Sequence, residues 1–335
     1  MSLILGSLFA ILFAVLAVGV WIGFGLIATA LALAHFFSDI PVARLIPQYA
    51  FNILTSSDLV ALPLFVLMGE FLFRTQLSKS LFNGLAPWAG LLPGRLLHVN
   101  VIGCSIFAAI SGSSAATTQV VGRMTLNELL RRGYSPEVAV GSLAGAGTLG
   151  FLIPPSTVMI IYGVLAQESV LRLFTAGFIP GVLLAGCFMG WIMIHTTIRP
   201  ELVPDQERAL RHMPFAARVA ALRELAPALF LIVCVLGSMY GGLATPTEAA
   251  AVGTLGAIVV SARQKELSWP VMREVALGAV QTCSMMGLII LGATILGNIV
   301  AVLGIPDYVA TVVSGWNLSP FMLIMALLVL YVVLG

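Results

Sequence analysis

The sequence predicts an all-α polytopic membrane protein with inverted structural repeats, a re-entrant helical hairpin and a broken helix. Composition carries the first part of this prediction: 60% of the 335 residues are hydrophobic and only 9% are charged, with a mean hydropathy of +1.07. A soluble protein needs more charged surface than this. The net charge of +2 gives no reason to expect a nucleic-acid partner. The lipid bilayer is therefore the expected surrounding.

The hairpin is predicted from residues 97–122, which carry no ionised side chain but are polar at their centre, Ser111 to Ser114. One straight helix of this length would extend about 39 Å at ~1.5 Å per residue, enough to cross a bilayer. Crossing would place the basic residues before it on the opposite side from Arg123, Arg131 and Arg132, against the positive-inside rule. A turn at the Gly-Ser cluster removes this conflict. The alternative is an ordinary span whose small residues help helices to pack.

The broken helix is predicted at residues 145–157, GAGTLGFLIPPST. Pro154 and Pro155 have no backbone N–H, and they push Ile153 out of helical geometry, which frees carbonyl groups earlier in the helix. Freed carbonyls beside serine hydroxyls make an all-oxygen site, which suits a hard cation such as Na⁺ and not zinc or copper. The alternative is a simple proline kink.

A weak repeat relates two parts of the chain at an offset of 223 residues, since 292 minus 69 is 223 for Gly69 and Gly292. The same offset lays residues 225–262 over the first apolar run and predicts that this run forms two helices. The two repeats start on opposite sides of the membrane, and such inverted repeats with broken helices are typical of secondary transporters. The offset also places Gly335 opposite Gly112. We therefore expect a longer chain, with a second hairpin beyond Gly335.

The predicted organisation has four parts. Residues 1–95 contain the first scaffold helices and an interfacial segment, and residues 96–195 contain the hairpin and the broken helix as a transport region. Residues 196–224 are a cytoplasmic connector, and residues 225–335 are an incomplete second repeat.

Two acidic residues have structural interpretations. Thr245, Pro246 and Glu248 match a helix capping box, with proline at the first helical position. Glu70 lies inside a predicted span, where a carboxylate is costly. It is either a proton- or ion-handling group or an interfacial partner of Arg74, and the second interpretation is preferred.

The sequence lacks the motifs of the enzymes that work in membranes. It contains no GxxxxGK[ST] loop for ATP and no HExxH or GxSxG for hydrolysis. We therefore expect a protein that is not an enzyme and has no organic cofactor. An ion channel or a non-transporting membrane scaffold is the alternative to a carrier, because a polar hairpin can line a pore or only pack.

Four motifs occur in order: LPLFVLMGEFL (62–72), SGSSAATTQVVG (111–122), GTLGFLIPPS (147–156) and GGLATPTEAAAVG (241–253). Together they resemble the large membrane subunit (DctM-like) of TRAP transporters, the tripartite ATP-independent periplasmic systems, over essentially the whole chain. The resemblance implies an elevator-type carrier for small organic acids, such as C4-dicarboxylates or sialic acid, driven by Na⁺ in a bacterial inner membrane. It also implies two partners, a small (DctQ-like) membrane subunit and a periplasmic (DctP-like) substrate-binding protein.

The resemblance also assigns individual residues. Its first Na⁺ site maps onto hydroxyls and carbonyls of Ser111, Ser113, Gly150, Ile153 and Pro155. Second choices, for contact with a substrate carboxylate, are Gly112, Ser114, Thr117, Thr118 and Thr148. Neither motif, 111–122 or 147–156, contains a basic residue, so half-helix ends and Na⁺ would balance the substrate charge.

Overall fold

A computed structural model describes residues 1–38, 42–74, 77–204 and 214–334. Helices are the only regular secondary structure in these ranges, which confirms the all-α prediction. The chain forms two compact units, one made of residues 1–54 and 285–335 and the other of residues 55–284.

Fifteen α-helices lie in the described ranges. They are α1 Ser2–Ala17, α2 Ile22–Phe37, α3 Val42–Leu54, α4 Ser57–Arg74, α5 Leu77–Ala89, α6 Leu97–Ser111, α7 Ser114–Arg131, α8 Pro136–Gly147, α9 Thr157–Ala166, α10 Val170–Ile198, α11 Phe215–Tyr240, α12 Pro246–Arg263, α13 Trp269–Val302, α14 Ile305–Gly315 and α15 Pro320–Leu334. Short 3-10 helices cover Thr148–Phe151 and Pro200–Leu202.

By length and composition, three of these helices are able to cross a bilayer: α10, α11 and α13, or four spans if α3 and α4 are counted together. The other apolar helices, among them α1, α2 and α6, are shorter. The division of the first apolar run is confirmed, because α1 ends at Ala17 and Gly19 adopts a positive φ of 83° before α2 begins. Glycine reaches this backbone region at no steric cost.

The first unit is held together by close contact between α2 and the C-terminal half of α13. A Cβ at Gly23 would lie 2.6 Å from Cγ of Leu288, so only glycine permits this approach. The buried core of the unit comprises Ala30, Leu33, Ala34, Ile295 and Ile299.

The second unit contains a close pair formed by α4 and α12. A Cβ at Gly253 would lie 2.5 Å from Sδ of Met68, and the Thr254 hydroxyl donates to the Leu64 carbonyl at 2.8 Å. Glycine at the contact lets the backbones approach, and a hydroxyl bond joins them.

The connector between the two predicted repeats is shorter than expected, because α10 extends to Ile198 and α11 begins at Phe215. The start of α11 packs on α5: Nε1 of Trp88 donates to the Arg218 carbonyl at 3.1 Å, and the Trp88 ring meets Phe215 edge-on. Contact with α5 thus allows α11 to begin within the segment that the sequence predicts to be a polar connector. Residues 205–213 of the predicted connector lie outside the described residues.

The capping box is confirmed, and Glu70 lies near Arg74 as expected, whereas its position at a membrane interface stays a prediction. Thr245 and Glu248 form a reciprocal capping box at the start of α12. Arg74 Nε lies 3.2 Å from a carboxylate oxygen of Glu70, and Nη1 of the same arginine lies 2.6 Å from a carboxylate oxygen of Glu274. Two carboxylates therefore share one guanidinium at the end of α4.

Several backbone features recur at the predicted spacing of 223 residues. Helix α15 covers residues 320–334 and α6 covers 97–111, which is the same range moved by 223. Positive φ occurs at Gly19 and Gly242 (242 minus 19 is 223) and at Gly94 and Asn317 (317 minus 94 is 223). The structural repeat itself and its inverted orientation both stay predictions.

Candidate functional site

The predicted hairpin is present as the antiparallel pair α6 and α7. Gly103 and Val121, nine residues before and nine after Gly112, face each other, and a Cβ at Gly103 would lie 3.6 Å from Cγ1 of Val121. The chain turns at Gly112, whose φ is +61°, and the Ser113 hydroxyl then caps α7 by accepting from the Ala116 amide. The turn at Ser111 to Ser114 is therefore confirmed, whereas entry and exit on one side of a membrane stay predicted.

Helix α6 is enclosed by protein. Twelve of its 15 residues are buried, whereas only 17% of the apolar stretch in α10 is buried. Irregular backbone at membrane depth requires such enclosure, because its N–H and C=O groups find no partners in lipid. At the tip of the hairpin, Ser111 and Gly112 are buried, and Ser113 and Ser114 are half-buried.

Hydroxyl groups concentrate at the hairpin tip. The Ser111 and Thr117 hydroxyl oxygens lie 2.9 Å apart, and the Ser113 amide donates to Ser111 Oγ at 3.3 Å. The Thr118 hydroxyl donates to the Ser114 carbonyl at 2.8 Å. Ser111 and Thr117 are buried, with 4% and 0% exposure, so their oxygens are shielded from bulk solvent.

The broken helix is also present and is more than a kink. Helix α8 ends at Gly147, a 3-10 turn follows, and α9 begins only at Thr157. The amides of Leu152 and Ile153 both donate to the Leu149 carbonyl, at 3.0 and 2.9 Å. The Pro154–Pro155 peptide is cis.

Several carbonyls in this break, among them the three predicted Na⁺ ligands, accept no hydrogen bond from the residues that the structure describes. Among the described residues, no amide or hydroxyl donates to the carbonyl oxygens of Gly150, Ile153 or Pro155. The Ser156 hydroxyl, which lies nearby, donates instead to the Phe151 carbonyl at 2.8 Å. The proline pair was expected to free carbonyls, and these accept no hydrogen bond from the described residues. That they bind a cation stays a prediction.

The hairpin tip and the broken helix are joined by direct bonds. The Gly112 carbonyl accepts from the Thr157 amide at 2.9 Å and from the Thr157 hydroxyl at 2.8 Å. A Cβ at Gly112 would lie 2.7 Å from the Pro155 carbonyl oxygen, and a Cβ at Gly150 would lie 2.7 Å from Cα of Ser114. Neither position has room for a side chain, so the two segments form one compact junction.

The structure brings most of the predicted site residues to this junction. Ser111, Gly112, Ser113, Ser114, Thr117, Gly150 and Pro155 meet there through the contacts above. Thr118 contacts the end of α8, because its hydroxyl fills the space that a Cβ at Gly147 would need.

Two predicted residues have other contacts. The Ile153 side chain lies against Gly181 of α10, 3.0 Å from the position of a Cβ there. Thr148 is exposed, and its hydroxyl donates to the Gly145 carbonyl at 2.7 Å.

Two residues of the junction were missed by the sequence interpretation. Thr157 supplies both donors to Gly112, and Gly69 of α4 lies against the tip, where a Cβ would be 3.0 Å from Cα of Ser111. Thr157 follows Ser156, a typical cap residue before an apolar helix, and that pattern was the available signal. Gly69 carried no signal beyond its position in the repeat.

Helix termini supply the polarity of the junction, since its two segments carry no ionised side chain. Helices α7 and α9 both begin there, and the first amides of a helix have no intrahelical acceptor. These amides and the positive ends of the helix dipoles favour an anion. The free carbonyls favour a cation, so the junction offers complementary groups for both.

Comparison with known proteins identifies the family. The model of the family "Tripartite ATP-independent periplasmic transporter, DctM component" matches residues 9–335. The chain belongs to the DctM family. It is 33% identical over 279 residues to a C4-dicarboxylate TRAP transporter large permease protein of Pseudomonas aeruginosa, covering 83% of this chain and 64% of that protein.

Other relatives carry different substrate names. The chain is 33% identical to an isethionate TRAP transporter permease protein of Oleidesulfovibrio alaskensis, over 97% of this chain and 50% of that protein. It is 29% identical to a sialic acid TRAP transporter large permease protein of Vibrio cholerae, over 98% of this chain and 76% of that protein. The chain thus spans about half to two thirds of the first two relatives named. Family membership and the apolar helices together indicate a multi-pass membrane protein.

Proposed function

We propose that this chain is the membrane permease of a Na⁺-coupled, binding-protein-dependent secondary transporter that imports small organic acids across a bacterial inner membrane. The observation that carries the proposal is the junction, where unbonded carbonyls of Gly150 and Pro155 lie beside the hydroxyl-rich tip of the hairpin. An all-oxygen donor set of this kind is typical of Na⁺ sites in broken-helix carriers. The relatives named for C4-dicarboxylates and sialic acid support the substrate class.

In this proposal Na⁺ binds first to Ser111, Ser113 and the carbonyls of Gly150, Ile153 and Pro155. The organic acid then binds beside it through Gly112, Ser114, Thr117, Thr118 and Thr148. Its carboxylate is balanced by Na⁺ and by those first-turn amides of α7 and α9 that have no other acceptor, because no arginine is within either segment. Substrate affinity would then depend on Na⁺, which is the physical basis of coupling.

The proposed movement is of the elevator type, with the hairpin and the broken helix moving as one body. The two bonds from Thr157 to the Gly112 carbonyl support this, since each such bond contributes about 1 kcal/mol and the contact leaves no space for slippage. A small membrane subunit and a periplasmic substrate-binding protein are the proposed partners. The name of the isethionate relative, DctMQ, supports the first of them.

Uptake by proteoliposomes tests the proposal. The permease is reconstituted with the small subunit, the binding protein is added with a labelled organic acid, and uptake is measured with and without an inward Na⁺ gradient. We expect saturable uptake that requires Na⁺ and is lost in the double variant Ser111→Ala, Ser113→Ala. Ser105→Ala is the matched control, because the Ser105 hydroxyl donates only to the Val101 carbonyl within α6.

The outcomes separate the alternatives. Saturable uptake that does not depend on Na⁺, or that is unchanged in the double variant, would refute the ion site. A flux that does not saturate and needs no binding protein would indicate a channel.

A further inference from the structure

A groove of about 400 Å³ lies between α8 and α10, and none of the proposed Na⁺ or substrate residues lines it. Its walls along the two helices include Val138, Gly141, Phe188 and Ile192. From Glu137 to Gly145 it follows about 12 Å of α8 at ~1.5 Å per residue. Its volume falls in the range of about 300–1,000 Å³ that is usual for small-ligand sites.

One end of this groove carries opposite charges. Glu137 lies in the first turn of α8, Arg199 follows the last residue of α10, and both line the groove. Among the described residues, neither side chain makes an ion pair or hydrogen bond. Within the part of the chain that the structure describes, an acidic and a basic group without partners therefore lie at the same end.

An aromatic surface lies beside these charges. The Trp191 and His195 rings stack, with centroids 5.7 Å apart and planes inclined by 9°, and 65% of Trp191 is exposed. Tryptophan concentrates where membrane helices meet the headgroup layer. The polar group in the middle of the groove, Ser142, is already engaged, since it accepts from Asn100 Nδ2 at 2.9 Å and donates to the Ala139 carbonyl.

We propose that this groove binds one zwitterionic phospholipid of the phosphatidylethanolamine type. The phosphate pairs with Arg199, the headgroup ammonium pairs with Glu137, and one acyl chain follows the apolar wall past Gly141 towards Gly145. Charge complementarity selects this occupant: phosphatidylglycerol offers Arg199 the same phosphate but has a neutral headgroup glycerol, so it gives Glu137 no cation to pair with. The site is separate from the proposed Na⁺ junction, and lipid binding does not require transport.

The test is native mass spectrometry of the purified full-length protein titrated with dioleoyl-phosphatidylethanolamine or dioleoyl-phosphatidylglycerol. The wild type should retain the ethanolamine lipid preferentially. Glu137→Gln should weaken binding of the ethanolamine lipid by roughly two- to fivefold, as for other exposed ion pairs, and should not weaken the glycerol lipid. Arg199→Gln should weaken both.

A steric variant tests the acyl-chain position. Nothing lies within 4 Å of a Cβ at Gly141, so the backbone accepts a side chain there, and Gly141→Leu should occupy the groove and abolish binding of both lipids. Gly186→Leu is the matched control, because Gly186 is equally open but lies on α10 outside the groove. Unchanged lipid binding in Gly141→Leu, or equal loss of both lipids in Glu137→Gln, would overturn the proposal.

Discussion

Gly112 combines two roles that no other residue type can fill. Its φ of +61° belongs to the left-handed region, and its missing side chain leaves room for the Pro155 carbonyl. The positive φ ends α6, and the missing side chain lets the broken helix pack against the tip of the hairpin. The same residue therefore forms the hairpin and positions it against the proposed ion ligands.

Gly112→Ala should destabilise the junction, because the new Cβ would lie 2.7 Å from the Pro155 carbonyl oxygen. We expect a loss of about 1–3 kcal/mol from combined strain and overpacking. Thermal unfolding in detergent gives the measurement. Gly186→Ala, in open space on α10, is the control, and equal unfolding temperatures for the two variants would contradict the role given to Gly112.

Thr157→Val should remove the hydroxyl bond to Gly112 while keeping the shape of the side chain and the backbone bond. The expected cost is about 1 kcal/mol, with more if the Gly112 carbonyl is left poorly satisfied. The Na⁺ dependence of the unfolding temperature should weaken as well, since the bond aligns the hairpin with the free carbonyls.

Thr157→Ser keeps the hydroxyl, so its stability and the Na⁺ dependence of its unfolding temperature should both match those of the wild type. Thr175→Val is the control for loss of a hydroxyl, because Thr175 is exposed and donates only to the Leu171 carbonyl of its own helix. A full Na⁺ response in Thr157→Val would exclude this residue from the alignment of the site.

The stability of a single helix depends on the hydrogen bonds at its ends as much as on the packing of its apolar face. Helix α12 contacts α4 through Gly253 and Thr254, and its start is held by the Thr245 and Glu248 capping box. Hydrogen bonds from the Thr245 backbone amide and hydroxyl hold the pKa of the Glu248 carboxyl below its ordinary value of 4.5. The cap is thus strongest when this carboxyl is ionised.

The capping box should give α12 a pH-dependent stability. Because the folded pKa of Glu248 is lowered, its contribution is present above the ordinary pKa and is lost as the pH falls through the folded value. Glu248→Gln should therefore unfold at a lower temperature than the wild type near pH 7, and the two should converge in acid.

Thr245→Ala should cost about 1 kcal/mol near neutral pH. Glu137→Gln provides the comparison, since Glu137 also lies in a first helical turn, that of α8, but accepts no hydrogen bond among the described residues. A Glu248→Gln difference that is constant with pH would contradict the assigned cap.

At the scale of the molecule, the enclosure of α6 distinguishes the hairpin from a lipid-facing span. Buried polar residues His98 and Asn100 lie on this helix, both 0% exposed. A helix with polar groups on a lipid-facing side would be costly in a bilayer. The surrounding protein lowers that cost in part: Asn100 Nδ2 donates to the Ser142 hydroxyl and His98 Nε2 bonds to the Pro93 carbonyl. Among the described residues, His98 Nδ1 and Asn100 Oδ1 have no partner.

A re-entrant hairpin predicts that both of its ends lie on one side of the membrane. Cysteines placed at Leu91 and at Arg131, both exposed, should react with an impermeant maleimide from the same face of oriented vesicles. The four native cysteines are first replaced by serine or alanine, and a cysteine at exposed Leu243 reports the opposite face. Labelling of Leu91→Cys and Arg131→Cys from opposite faces would mean that residues 97–122 cross.

The amino-acid sequence by itself determined the apolar class of the molecule, the helix breaks at Gly19, Gly112 and Pro154, and the cap at Thr245. Each depends on local chemistry: a positive φ, a missing N–H, or a hydroxyl three residues before an amide. Only the tertiary structure decided that Thr157 bonds to Gly112, that Gly150 lies against Ser114, and that α11 begins as early as Phe215. These contacts join segments far apart in sequence, so they follow from packing, which no local pattern records.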